Sequence, residues 1–275
     1  MEKRDERPDS SDGGAQGELG RNKQIIDHYD ALSDRFDVNE FYGQSDFMNF
    51  GYWDEHTCDQ KQACENLMDE LLKLIPNRSG TILDVACGKG ASTSYLMKNH
   101  LPELVTGINI SEKQLQTARG NAPGCTFRLM DATELDFPDS SFDNIICVEA
   151  AFHFDTREKF LKEAHRVLKP GGALVLSDIL MNREGEKKRK MRTEKNYVRD
   201  PEEYDAVLTE AGFRKNTIVD ATESCWERHF WHTVCYVHRK FLSREISHEQ
   251  LQKGLRPAYL RVPDLEYYLL IAAEK

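Results

Sequence analysis

No stretch of the sequence is apolar for long enough to cross a bilayer, and its first residues lack the apolar centre of a secretory leader. A membrane-spanning or exported protein is therefore not expected, and a cytoplasmic location is. The seven cysteines are odd in number and scattered, which argues against a disulfide framework and for reduced thiols. Positive charge is also in short supply. With 37 Lys and Arg against 47 Asp and Glu, the net charge of −10 would oppose a nucleic-acid partner. Residues 1–22 have almost no apolar side chains and are rich in Asp, Glu, Arg, Gly and Ser, the composition of a disordered tail.

Against these absences stands one dense stretch, Thr81-Ile-Leu-Asp84-Val-Ala-Cys-Gly88-Lys-Gly90-Ala-Ser92. Its apolar run suits a parallel strand buried on both faces, and its two glycines allow a sharp turn and a close approach of backbone to ligand. Asp84 ends a buried strand, where a carboxylate is costly unless it is hydrogen-bonded or meets a cation. The third glycine of a dinucleotide site is missing, since Thr93 holds that position, and no Gly-Lys-Ser/Thr of a phosphate loop follows. A nucleoside without phosphates, carrying an ammonium for the carboxylate and a carboxylate for the turn amides, fits better. S-adenosyl-L-methionine is such a ligand.

Further strands are expected over residues 103–110, 126–130, 144–149, 173–177, 216–219 and 266–272, with Ser111 capping the helix after the second. Asn109 ends the second strand, where an acidic residue commonly binds ribose hydroxyls; its amide can still accept one hydrogen bond and donate another. Four motifs follow in order: the Asp84–Gly90 turn, Asp131-Ala132, Phe137-Pro-Asp-Ser-Ser-Phe-Asp143 and Arg166-Val-Leu-Lys-Pro-Gly-Gly172. Together they resemble the class I S-adenosylmethionine-dependent methyltransferases, particularly the small-molecule enzymes that methylate antibiotic sugars. The resemblance implies an α/β, Rossmann-like fold: a seven-stranded, mostly parallel sheet with helices on both faces and the last strand antiparallel. It also implies a helical N-terminal cover and a helical insertion before the last strand. The expected boundaries are a tail at 1–22, the cover at 23–78, the core at 79–221, the insertion at 222–262 and the last strand at 263–275. By similarity, Ala86, Gly88, Gly90 and Asp84 hold the methionine moiety. Asn109 would hold the ribose and Asp131 with Ala132 the adenine, while Tyr29, Ile110, Gln114 and Glu149 complete the cofactor site.

Acceptor specificity is expected from outside the core. The cover carries the aromatic cluster Phe41-Tyr42, Phe47, Phe50-Gly-Tyr52-Trp53, and the insertion carries Trp226, Phe230 and Trp231 on an amphipathic helical pattern. Tyr52, Trp53, Trp226, Phe230 and Trp231 are the candidate substrate contacts, with hydrophobic packing or an interface between copies of the chain as the competing roles. His229 and His232 lack the convergent carboxylate or cysteine a metal site needs, so no metal is expected. The basic run Lys187 to Arg192 would be a solvated loop or attract an anionic substrate.

A sulfonium-bound methyl group is already activated, so the chain must mainly align an acceptor, exclude water and remove a proton. His153, just past the fourth strand, is the candidate base, and Asp178 would orient it or act itself; the resemblance to sugar O-methyltransferases implies the same pair. O- or N-methylation of a small, largely apolar or aromatic metabolite is the leading expectation. Carbon methylation of an alkene or electron-rich ring through a carbocation is the alternative, and a non-catalytic relative a third.

Overall fold

The computed structural model describes residues 12–189, 191 and 193–275. The first helix, α1 (Asp12–Ser33), leads through α2 (Phe36–Phe41) to α3 (Gln60–Lys73), which begins where the Asp59 carboxylate accepts from the Gln62 amide. The core then alternates strand and helix: β1 (Ile82–Val85), α4 (Ala91–Leu96), β2 (Val105–Asn109), α5 (Glu112–Asn121), β3 (Thr126–Leu129), β4 (Phe142–Val148), α6 (Arg157–Val167) and β5 (Leu168–Met181). The short α7 (Arg183–Lys188) and α8 (Pro201–Glu210) precede β6 (Lys215–Asp220). A π-helical turn, Glu223–Glu227, opens the insertion of α9 (Arg228–Leu242) and α10 (His248–Arg261), and β7 (Leu265–Glu274) closes the sheet.

The seven strands lie in the order β3-β2-β1-β4-β5-β7-β6, and β7 alone runs against its neighbours. The expected fold is thus the observed one. Burial on both faces explains the apolar strand sequences. Ile82 packs with Leu67, Met68 and Leu71 of α3 on one face, while Leu83 and Val85 pack with Phe160, Leu161 and Tyr204 on the other. Burying each such side chain is worth about 1.5–3 kcal/mol. Because β1 has β2 on one side and β4 on the other, the winding reverses there. Crevices at such switch points, beyond the carboxyl ends of the strands, are where open α/β sheets bind ligands.

Two expectations change. Helix α1 takes in residues 12–22, which composition assigned to a disordered tail. Two of these residues have partners across the fold: the Arg21 guanidinium donates to the His153 carbonyl at 2.9 Å, and the Asn22 amide donates to the Asp131 carboxylate at 2.7 Å. Residues 1–11 of that tail, with Lys190 and Arg192 of the basic run, lie outside the described residues. The rest of the run is largely ion-paired, Lys187 with Glu184, Lys188 with Asp264 and Arg189 with Glu186.

Candidate active site

A cavity of about 640 Å³ opens at the switch point. The turn after β1, the ends of β2 and β4, and Met130 to Ala132 form its floor, and α1 with residues 42–50 roofs it. The glycines of the turn have distinct jobs. Gly88, at φ +54°, lines the cavity and leaves its backbone open. Gly90, at φ +81°, stands behind, where a methyl group would lie 2.8 Å from the Ala118 Cβ of α5.

Asp84 does not line the cavity, contrary to expectation. Its Oδ2 accepts from Ser92 Oγ at 2.7 Å and from Thr93 Oγ1 at 2.6 Å, so the carboxylate ties the turn to the start of α4. Thr93, which spoils a dinucleotide fit, is thereby Asp84's partner. Burial pushes the Asp84 carboxyl up to about 6 despite these bonds. Tyr29, Ala86, Gly88, Asn109, Ile110, Gln114, Asp131, Ala132, Glu149 and His153 all line the cavity.

Glu149 sits at φ +48° beyond β4 and accepts from the Phe50 amide at 2.7 Å and the Tyr268 hydroxyl at 2.6 Å. It therefore fastens the cover to the sheet. Burial pushes its carboxyl from 4.5 up to about 7, against the pull of those two hydrogen bonds. Between these values the folded chain keeps a proton that the unfolded chain releases, so stability falls as pH rises through that window. Denaturant melts of the ligand-free protein should show this decline, and Glu149→Gln should remove part of it. Parallel curves for the two proteins would contradict the assignment.

His153 faces Tyr29, with Nε2 and the phenol oxygen 2.7 Å apart. Burial, reinforced by Arg189, His28, Arg157 and Arg21, holds the imidazole pKa well below its usual value. Burial and the Glu149 charge push the Tyr29 phenol up to about 12. The pair is thus a neutral imidazole against a protonated phenol. Nδ1 of His153 is buried without a hydrogen-bond partner among the described residues.

Asp178 is not the orienter of His153. It is fully buried and absent from the cavity wall. Its carboxylate accepts from Arg157 Nε at 2.6 Å, from the Tyr204 hydroxyl at 2.9 Å and from the Ile179 amide at 2.9 Å. That network is occupied with holding α6, α8 and β5 together.

The aromatic acceptor contacts are also displaced. None of Tyr52, Trp53, Trp226, Phe230 and Trp231 lines the cavity. Trp226 and Phe230 are buried in the core beneath α9, and Trp231 points outward, 61% exposed. The Trp53 indole donates to the Phe50 carbonyl at 2.9 Å and its ring lies 4.4 Å from His232. His229 Nδ1 pairs with Gln60 Oε1 at 2.9 Å. The cavity instead presents Tyr42, Phe50 and Phe152 with the cations Arg21, Arg189 and Arg261. Tyr42 and Phe50 belong to the aromatic cluster legible in the sequence. Arg261 had no local signal, because a fold brings the end of α10 to this rim.

The donor set fits a phosphate-free nucleoside with an amino-acid tail: an open glycine turn, a polar strand end at Asn109 and an apolar pocket near Ala132. Residues 83–176 match the model of a methyltransferase domain. Over 263 residues the chain is 30% identical to the 27-O-demethylrifamycin SV methyltransferase of Amycolatopsis mediterranei, covering 89% of this chain and 94% of that protein. This chain belongs to the class I S-adenosylmethionine-dependent methyltransferases. Solved structures agree on the fold of this methyltransferase. The cyclase SpnF superimposes with a TM-score of 0.69 at 22% identity, covering 92% of this chain and 96% of that one. Geranyl diphosphate C-methyltransferase from Streptomyces coelicolor, solved with S-adenosyl-L-homocysteine, gives 0.63 at 17% identity, covering 92% and 97%. S-adenosyl-L-methionine is the methyltransferase's cofactor.

Proposed function

We propose that this methyltransferase methylates an oxygen of a small specialised metabolite, with the Tyr29–His153 pair receiving the acceptor's proton. The observation that carries the reading is the 2.7 Å contact between these two groups at the cavity wall, made by an imidazole kept neutral. The similarity to a rifamycin O-methyltransferase over nearly its whole length supports an oxygen acceptor of natural-product type.

The cofactor supplies an electrophilic methyl group on a sulfonium. The chain supplies the rest. Gly88 and its neighbours leave backbone groups open for the amino-acid tail, and α1 shields the pocket from water. Tyr42, Phe50 and Phe152 give the acceptor an apolar bed. In the tautomer where Nε2 accepts from Tyr29, the phenol passes its proton to the imidazole as its oxygen takes the acceptor's proton. The net result is an O-methyl product, the demethylated cofactor and a protonated His153, which returns its proton to solvent after the transfer. His153 with Tyr29, and the cofactor contacts at Gly88, Asn109, Gln114, Asp131 and Ala132, are the proposed site.

Tyr29→Phe tests this route. Loss of the hydroxyl removes the relay between acceptor and imidazole and should lower kcat by about tenfold to a hundredfold, about 1.4–2.7 kcal/mol of transition-state stabilisation. KM for the cofactor should hold. A raised cofactor KM with unchanged kcat would instead make Tyr29 a cofactor contact and remove it from the proton route.

A further inference from the structure

We propose that Asp30, on the covering helix α1, sets the hydrogen-bonding polarity of Asn109 through Gln114, and so acts as the remote acidic group of the ribose site. The inference rests on the cofactor assignment and not on the identity of the acceptor.

Four hydrogen bonds carry it. The Asp30 carboxylate accepts from Gln114 Nε2 at 2.8 Å and from Ser111 Oγ at 2.8 Å. Ser111 Oγ in turn accepts from the Gln114 amide at 3.2 Å, fixing the base of the side chain. The far end of Gln114, Oε1, accepts from Asn109 Nδ2 at 3.1 Å.

An ionised carboxylate only accepts, so Gln114 must show Asp30 its NH₂ end. Its oxygen then faces Asn109, which must answer with NH₂. The Asn109 oxygen is left over. It accepts no hydrogen bond among the described residues, and Asn109 lines the cavity at the end of β2. Asn109 and Gln114 are both only 8% exposed, so water cannot repair a flipped amide cheaply. A flip of Gln114 would set oxygen against the Asp30 carboxylate and NH₂ against NH₂ at Asn109.

Asn109 therefore presents a fixed acceptor to a ribose hydroxyl, as one oxygen of a carboxylate would. The charge that fixes it comes from the roof. Because Asp30 lies on α1, the bias depends on that helix being docked against α5.

Positioning by Asp30 is tested by calorimetry, comparing S-adenosylhomocysteine with an analogue lacking both ribose hydroxyls. Asp30→Asn should weaken S-adenosylhomocysteine binding by about tenfold to a hundredfold. Binding of the analogue should not change. Asn109→Asp alone should also weaken S-adenosylhomocysteine binding, since two carboxylates then compete for one Gln114 NH₂. Combining Asp30→Asn with Asn109→Asp reverses the relay and should restore affinity to within about threefold of wild type.

Equal losses for both ligands in Asp30→Asn would show merely damaged packing of α1 and overturn the proposal. So would unchanged S-adenosylhomocysteine binding in that variant, or additive losses in the double variant. No binding of either ligand by wild type would overturn the cofactor assignment itself, and the inference with it.

Discussion

His153→Ala should lower kcat by about two to four orders of magnitude while cofactor affinity stays near that of wild type. In free energy this is about 3–5 kcal/mol of transition-state stabilisation. The imidazole adjoins the cavity, burial and the surrounding arginines keep it neutral, and its Nε2 lies 2.7 Å from the Tyr29 hydroxyl of α1. On the proposed route, removing it takes away the acceptor of the proton and not the contacts of the methyl donor. Steady-state kinetics with calorimetry on the same preparation separates the two effects. A variant as fast as wild type would exclude His153 from the proton route.

Asp178→Ala should act through stability, lowering it by about 3–5 kcal/mol, because it leaves Arg157 buried and unpaired. The side chains of this pair are 3% and 0% exposed, and the Tyr204 hydroxyl loses its acceptor too. Arg157 also bonds to the Asn196 and Ile179 carbonyls, so it cannot swing out to water without breaking α6 from β5. For a chain of this size that corresponds to a fall in Tm on the order of 10 °C. The discriminating variant is Arg157→Met with Asp178→Leu, which should recover most of the loss because no buried charge remains unpaired. In that double variant, at a temperature where it is folded, methyl transfer should proceed near the wild-type rate. If transfer were abolished in a folded double variant, Asp178 would have a role in the reaction beyond the ion pair.

These two residues also mark how far the sequence could be read. The strand–turn–helix around Gly88 was legible because its constraints are local: positive φ at two glycines, a buried strand and a carboxylate that needs partners. The same stretch misled on one point. A carboxylate at a strand end reads equally as a ligand contact or as an anchor, and the choice fell to Ser92 and Thr93, whose hydroxyls reach it from α4. His153 lies just past β4 and Asp178 within the neighbouring strand β5, so proximity along the sheet makes a pair a natural reading. What separates them is Arg157, whose approach depends on how α6 crosses β5.

Sequence pattern was weakest for the cover and the insertion. An amphipathic aromatic helix has the same pattern whether its apolar face meets core or ligand, and here the π-helical turn and α9 turn Trp226 and Phe230 into the core. Residues 12–22 read as tail because they are polar; the partners of Arg21 and Asn22 lie far along the chain, at His153 and Asp131. Asp30 was silent for a related reason. Its meaning depends on Gln114, which only the docked helix brings within reach.

The most direct measurement is the position of the label after turnover with S-adenosylmethionine carrying an isotopically labelled methyl group, against hydroxylated natural-product acceptors, with release of S-adenosylhomocysteine followed in parallel. One labelled O-methyl group per S-adenosylhomocysteine released is expected, and almost none with His153→Ala. Label on carbon, formed equally well without His153, would contradict it.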